Sequence, residues 1–103
     1  MLGIKEIIER AQDLQSRISD LQTELAKRTA TGSSGAGMVV AEVNGAQELV
    51  SIKIEKDLIS SEDVEMLEDL IVAAVNDALK KMREMIAPEI SKLVGGVKIP
   101  GLG

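Results

Sequence analysis

Ile4, Ile7, Ala11, Leu14, Ile18, Leu21 and Leu25 recur at alternating spacings of three and four residues, an unbroken apolar seam. With Ile4 at heptad position a, the seam fills every a and d position until Arg28 takes the next d. The spacing predicts a helix from about Gly3 to Lys27, roughly 38 Å long for about 25 residues. A helix of that length outreaches so small a domain, so part of its seam needs a partner, and the simplest partner is a second copy of the chain. Acids precede bases at i,i+4 in Glu6–Arg10, Asp13–Arg17 and Glu24–Arg28, the favourable orientation for a solvated, self-neutralising face.

Thr29–Gly37 is a Gly/Ser-rich breaker whose start, Lys27–Thr31, alternates as a short edge strand does. Beyond it, Met38–Val43 and Glu48–Glu55 flank Asn44-Gly45, the preferred pair for a two-residue type I′ hairpin. That turn sets Val39 opposite Val50 and Val40 opposite Leu49. It lines one face with Val39, Ala41, Val43, Val50, Ile52 and Ile54, which must pack on a helix. The other face mixes Met38, Val40 and Leu49 with Glu42, Ser51 and Lys53, a second hint of self-association.

Ser60 or Ser61 is the expected N-cap of a second long helix, with Glu62, Asp63 and Glu65 at its positive end. Val64, Leu67, Ile71, Ala74, Ala78, Met82 and Met85 form its stripe, widened by Leu70, Val75, Leu79 and Ile86. Pro88 is expected to kink or end it, and Gly95-Gly96 to stop it. The chain therefore reads as one α+β domain: helix over 1–28, small antiparallel sheet over 29–56, helix over 60–94 with a break at Pro88, and an exposed tail over 95–103.

Composition narrows the chemistry. The 103 residues include no Cys, His, Phe, Tyr or Trp, so the core is aliphatic. Disulfides, thiolate or imidazole metal sites, and Cys or His catalysis are excluded. No apolar run approaches the roughly 18 residues of a membrane span, which points to a soluble cytoplasmic protein with no membrane partner. The acids Glu62, Asp63, Glu65, Glu68 and Asp69 are a conceivable carboxylate set, but acids early in a helix answer its dipole. Gly32, Gly35 and Gly37 precede a strand, not a helix, and so lack phosphate-loop architecture. No enzyme and no cofactor is expected.

Net charge is −5, unevenly spread: residues 1–41 are neutral, 42–77 carry −8, and 78–103 carry +3. Without aromatic side chains, base stacking is unavailable, and nucleic acid is reached only by Lys and Arg on phosphates. The candidates are Lys27 and Arg28 at the end of the first helix and Lys80, Lys81 and Arg83 late in the second. For the latter group, dipole complementarity and the pairs Asp77–Lys81 and Lys80–Glu84 are the plainer explanation. Candidate contacts between copies are Met38, Val40, Leu49, Leu70 and Leu79.

Five segments in order, AQDLQ (Ala11–Gln15), TGSSGAGMVVAEVNG (Thr31–Gly45), Val50–Glu55, DVEMLEDLIVAAVNDALKK (Asp63–Lys81) and GGVKIPGL (Gly95–Leu102), resemble the YbaB/EbfC family of nucleoid-associated proteins. The resemblance spans nearly the whole chain. It implies a bacterial α–β–β–β–α subunit, with a third strand near Lys27–Gly32. It also implies a homodimer whose N-terminal helices project like tweezers, binding duplex DNA in the cytoplasmic nucleoid without enzymatic activity. Such arms would meet the body near Leu21–Leu25 and leave Ile4–Ala11 open, and charge placed on the family's helices adds Lys5, Arg10 and Arg17 to the candidate phosphate contacts. The departures are the acidic charge and Pro88, inside what resembles a continuous helix in relatives. The competing reading is an adaptor whose projecting helices and acidic surface grip a replication or repair protein.

Overall fold

The computed structural model describes residues 3–59 and 62–95. Helix α1 (Ile4–Leu25) leads into strands β1 (Thr29–Ser34), β2 (Val39–Asn44) and β3 (Leu49–Ile54), a short helix α2 (Lys56–Ile59) and the long helix α3 (Val64–Gly95). The sheet is antiparallel in the order β1-β2-β3. This is the expected α–β–β–β–α order, with α2 added.

The core lies between one sheet face and α3. Val39, Ala41 and Val43 alternate inward on β2 and are wholly buried, as are Ala74, Ala78 and Met82 at i,i+4 spacing on α3. Burying side chains such as Val39, Val43 and Met82 contributes about 1.5–3 kcal/mol each. Around them pack Ile52, Ile54, Leu67, Leu70, Ile71, Val75, Leu79 and Ile86. Ala30 and Gly32 on β1 are small because α3 passes directly over them. Of the expected α3 stripe, Val64 and Met85 remain exposed.

The two edges of the sheet differ. On β1 the Ser33 amide donates to Oδ2 of Asp77 at 3.0 Å, and Ser34 Oγ donates to the Leu70 carbonyl at 2.5 Å. This edge is therefore tied to α3. Strand β3 has β2 on one side, and no further strand pairs with it among the described residues.

Four details differ from the sequence reading. First, β1 begins at Thr29 and continues through Ser34. Its link to β2 turns on Gly35, Ala36 and Gly37, all with φ between 56° and 88°.

Second, the β2–β3 register pairs Val39 with Ile54, Val40 with Lys53 and Val43 with Leu49, with an irregularity at Glu42/Val43. Val39 does not face Val50, nor Val40 Leu49, and Val50 is 52% exposed. The cause is the loop. Asn44 Oδ1 accepts from the amides of Ala46 (2.9 Å) and Glu48 (3.0 Å), and Gln47 takes φ 63°. The side chain thus organises a longer connection than a two-residue turn.

Third, α3 starts at Val64. Asp63 Oδ1 accepts from the Met66 amide at 2.9 Å, so Asp63 is the N-cap, while Ser60 and Ser61 lie outside the described residues. Fourth, α3 runs unbroken through Pro88 to Gly95. Ile86 packs on the core and Glu89 is held by Arg28, so the helix is anchored on both sides of the proline. Glu84, whose carbonyl loses its donor to Pro88, is exposed, so water can take that place. Of the tail, all but Gly95 lies outside the described residues.

Candidate nucleic-acid interface

Helix α1 barely touches the body. Of its 22 residues only Leu25 is buried, at 6% exposure; Leu14 and Leu21 are half-buried, and Ile4 is 78% exposed. The radius of gyration is 20.0 Å, against about 13 Å for a compact chain of this length. With extents of 70 × 26 × 17 Å, the molecule is a body carrying an arm.

The arm is joined at its base by fitted parts. The Gly45 amide donates to the Arg28 carbonyl at 3.0 Å, and the Leu25 carbonyl occupies the space where a Gly45 side chain would begin. Here a hydrogen would fit and a methyl would not. Arg28 then forks: Nη1 donates to Glu89 Oε1 at 3.1 Å and Nη2 to Glu24 Oε1 at 3.4 Å. Hydrogen bonding and attraction from Glu89, joined by Glu24, raise the guanidinium pKa further above its ordinary value.

The candidate cations sort into two groups. Arg17 is paired with Asp13 at 3.1 Å, Arg28 with both glutamates, and Lys81 with Asp77 at 3.0 Å. Lys5, Arg10, Lys27, Lys80 and Arg83 are exposed and have no ion-pair partner among the described residues. The expected pairs Glu6–Arg10 and Lys80–Glu84 do not form. Asp77 is doubly held, by the Ser33 amide first and by Lys81 second, which keeps its carboxyl below the usual range.

These side chains do not converge on one spot. Lys5, Arg10 and Arg17 are strung along the arm, with Lys27 just beyond its base. On α3, helical spacing turns Lys80 and Arg83 away from the buried line of Ala74, Ala78 and Met82. The same outer face carries Glu65 and Asp69 in its first turns, so the acidic and basic ends of α3 are separated along its axis.

Among the candidate copy-to-copy contacts, Met38 and Leu49 are exposed and Val40 is half-buried, whereas Leu70 and Leu79 pack against the core of their own chain. Sequence spacing linked Arg28 to Glu24 only. Glu89 lies 61 positions away in the chain, and no local pattern joins the two. Among the described residues no group of three or more acidic side chains converges to hold a metal ion, and no helix is long and apolar enough to cross a membrane.

The architecture defines a class: an α+β chain in which a three-stranded sheet, backed by one long helix, carries another as a projecting arm that bears both basic and acidic side chains. Comparison with known proteins makes this specific. The model of the YbaB/EbfC DNA-binding family matches residues 1–97, and the chain belongs to that family. It is 50% identical over 100 residues to nucleoid-associated protein TTE0040 of Caldanaerobacter subterraneus, covering 97% of this chain and 90% of that protein. It is 41% identical to nucleoid-associated protein DP1429 of Desulfotalea psychrophila, covering 98% and 95% of the two chains. The crystal structure of the uncharacterized protein HP0035 from Helicobacter pylori superposes with a TM-score of 0.81 at 25% identity, covering 92% of this chain and all of that one.

Proposed function

We propose that this chain works in the bacterial nucleoid as a homodimer that binds duplex DNA through Lys and Arg contacts to phosphates, with little sequence specificity. The observation that carries the reading is the arm. A 22-residue helix with one buried residue and exposed Lys5 and Arg10 has no structural use within its own chain. In a dimer, two such arms flank a space into which a duplex can enter.

Two features support dimerisation. The β3 edge is unpaired among the described residues, and Leu49 and Val50 are exposed at one end of it, while Met38 is exposed at the other end of the β2–β3 ladder, next to Glu55. The arm's seam, exposed at Ile4, Ile7 and Ile18, is the other. The chemistry follows from the residues available. Lys and Arg neutralise phosphates and release counterions, giving affinity without base readout. The acidic 42–77 region must face away from the duplex, which favours approach at the basic end of α3, with Lys5 and Arg10, unpaired among the described residues, as the arm's contribution.

Light scattering with refractive-index detection should give twice the 11.0 kDa chain mass. Retardation of unrelated duplexes should then weaken by roughly 500- to 2,000-fold as salt rises from about 50 to 200 mM, as expected for five or six phosphate contacts. A monomeric mass, or retardation indifferent to salt, overturns the reading.

A further inference from the structure

The cation at the arm's base has the geometry of a strut. Arg28 follows the turn that ends α1, and its guanidinium spans two elements, one nitrogen on Glu24 in the last turn of α1 and another on Glu89 in the final third of α3. Leu25 and the Gly45–Arg28 backbone bond fix where the arm is rooted. A rooted point alone does not fix a direction. Among the described residues, Arg28–Glu89 is the ion pair that ties the root of the arm to α3, and both side chains are about two-thirds shielded, at 34% and 28% exposure.

We propose that Arg28 is a positioning residue for duplex binding rather than a phosphate contact: bridging Glu24 and Glu89, it sets the angle at which α1 leaves the body. The inference rests on the DNA-binding reading above. The lever is long. A 22-residue helix measures about 33 Å, so a tilt of about 10° at the root moves the tip by roughly 6 Å, well over the about 3.4 Å of duplex axis between successive phosphates of one strand. Lys5 and Arg10, near the tip, then miss their phosphates. A planar fork serves this bridge where a lysine ammonium, a point charge, does not.

The sign of a single substitution separates the two roles. Glu89→Gln removes a negative charge. If Arg28 contacts phosphate, losing its competitor should leave binding unchanged or tighten it. If Arg28 is a strut, binding should weaken by roughly fivefold. The chain has no cysteine, so Gln12→Cys and Thr31→Cys, both exposed, give clean spin-label sites on the arm and on β1. Pulsed electron resonance on labelled chain diluted with unlabelled chain should show one narrow distance in the parent protein and a broadened distribution with Glu89→Gln or Arg28→Gln. The exchange Arg28→Glu with Glu89→Arg should recover part of both the distance and the affinity.

Circular dichroism at 222 nm shows whether each variant is folded. An unchanged distance distribution in Glu89→Gln, or undiminished DNA binding, overturns the strut. If the parent protein retards no DNA at any salt, the DNA-binding reading fails instead, and the label distances alone decide whether Arg28 sets the arm's angle.

Discussion

Gly32 on β1 lies so close beneath Ala78 on α3 that a Cβ at position 32 would run into the Ala78 amide nitrogen and Cα and the Ala74 carbonyl oxygen. All three obstructing atoms are backbone, so no side chain can swing aside. The helix itself would have to lift from the sheet. Gly32→Ala should cost about 3 kcal/mol or more, a large share of the stability of a domain this size. Urea unfolding followed at 222 nm checks it, since the chain has no Trp or Tyr to fluoresce.

Asp77 makes stability depend on pH in a defined direction. Its carboxyl is held below the ordinary value of 3.8 by the Ser33 amide and Lys81, so the native state favours the ionised form. That contribution is present above pH 3.8 and fades as pH falls through the lower native value. The melting temperature of the parent should therefore drop more steeply below pH 3.8 than that of Asp77→Asn. Parallel slopes would show that the carboxylate contributes nothing.

Asn44 is expected to be an organiser of the β2–β3 loop. Asn44→Ala leaves the Ala46 and Glu48 amides without their acceptor and should cost about 1–2 kcal/mol. Asn44→Asp keeps the acceptor and should retain most of that, less the repulsion from Glu48. Equal losses in chemical denaturation would mean that the side-chain oxygen is not what holds the loop.

Cations already matched by a carboxylate should matter less to DNA than unmatched ones. Replacing both Lys80 and Arg83 by Gln should reduce the slope of log affinity against log salt by about two for each subunit that touches the duplex. Lys81→Gln should reduce it by less than about one per subunit, since Asp77 already sits on that ammonium at 3.0 Å. Equal effects from the three positions would show that pairing in the free protein is irrelevant to binding.

Much of what depends on residues close together in the chain was legible in the sequence, although Glu6–Arg10 and Lys80–Glu84, equally well spaced, form no ion pair. The seam from Ile4 to Leu25 defines α1 to within a few residues, and the Asp13–Arg17, Glu24–Arg28 and Asp77–Lys81 pairs form as their spacing implies. Relations fixed by competition or distance stayed hidden. The Asn44-Gly45 pair suits a tight turn, but the Asn44 side chain captures two loop amides and shifts the strand pairing. Pro88 breaks helices in general, yet anchoring at Ile86 and Glu89 carries α3 past it. At the interface, the cations were identifiable by type, whereas the Arg28–Glu89 bridge needed two remote segments to meet.

The thinness of the join between α1 and the body has a consequence for how such proteins can vary. The body takes almost nothing from the arm beyond Leu25, so residues can be inserted or deleted toward the tip with little effect on its folding. Each seven-residue step changes the reach by about 10 Å and preserves the direction of the apolar seam. Length there behaves as a ruler that evolution or a designer can reset, with what the protein spans being altered separately from how it folds. The same separation leaves a lone arm short of stabilising contacts, so amide exchange along it should slow markedly once it is gripped.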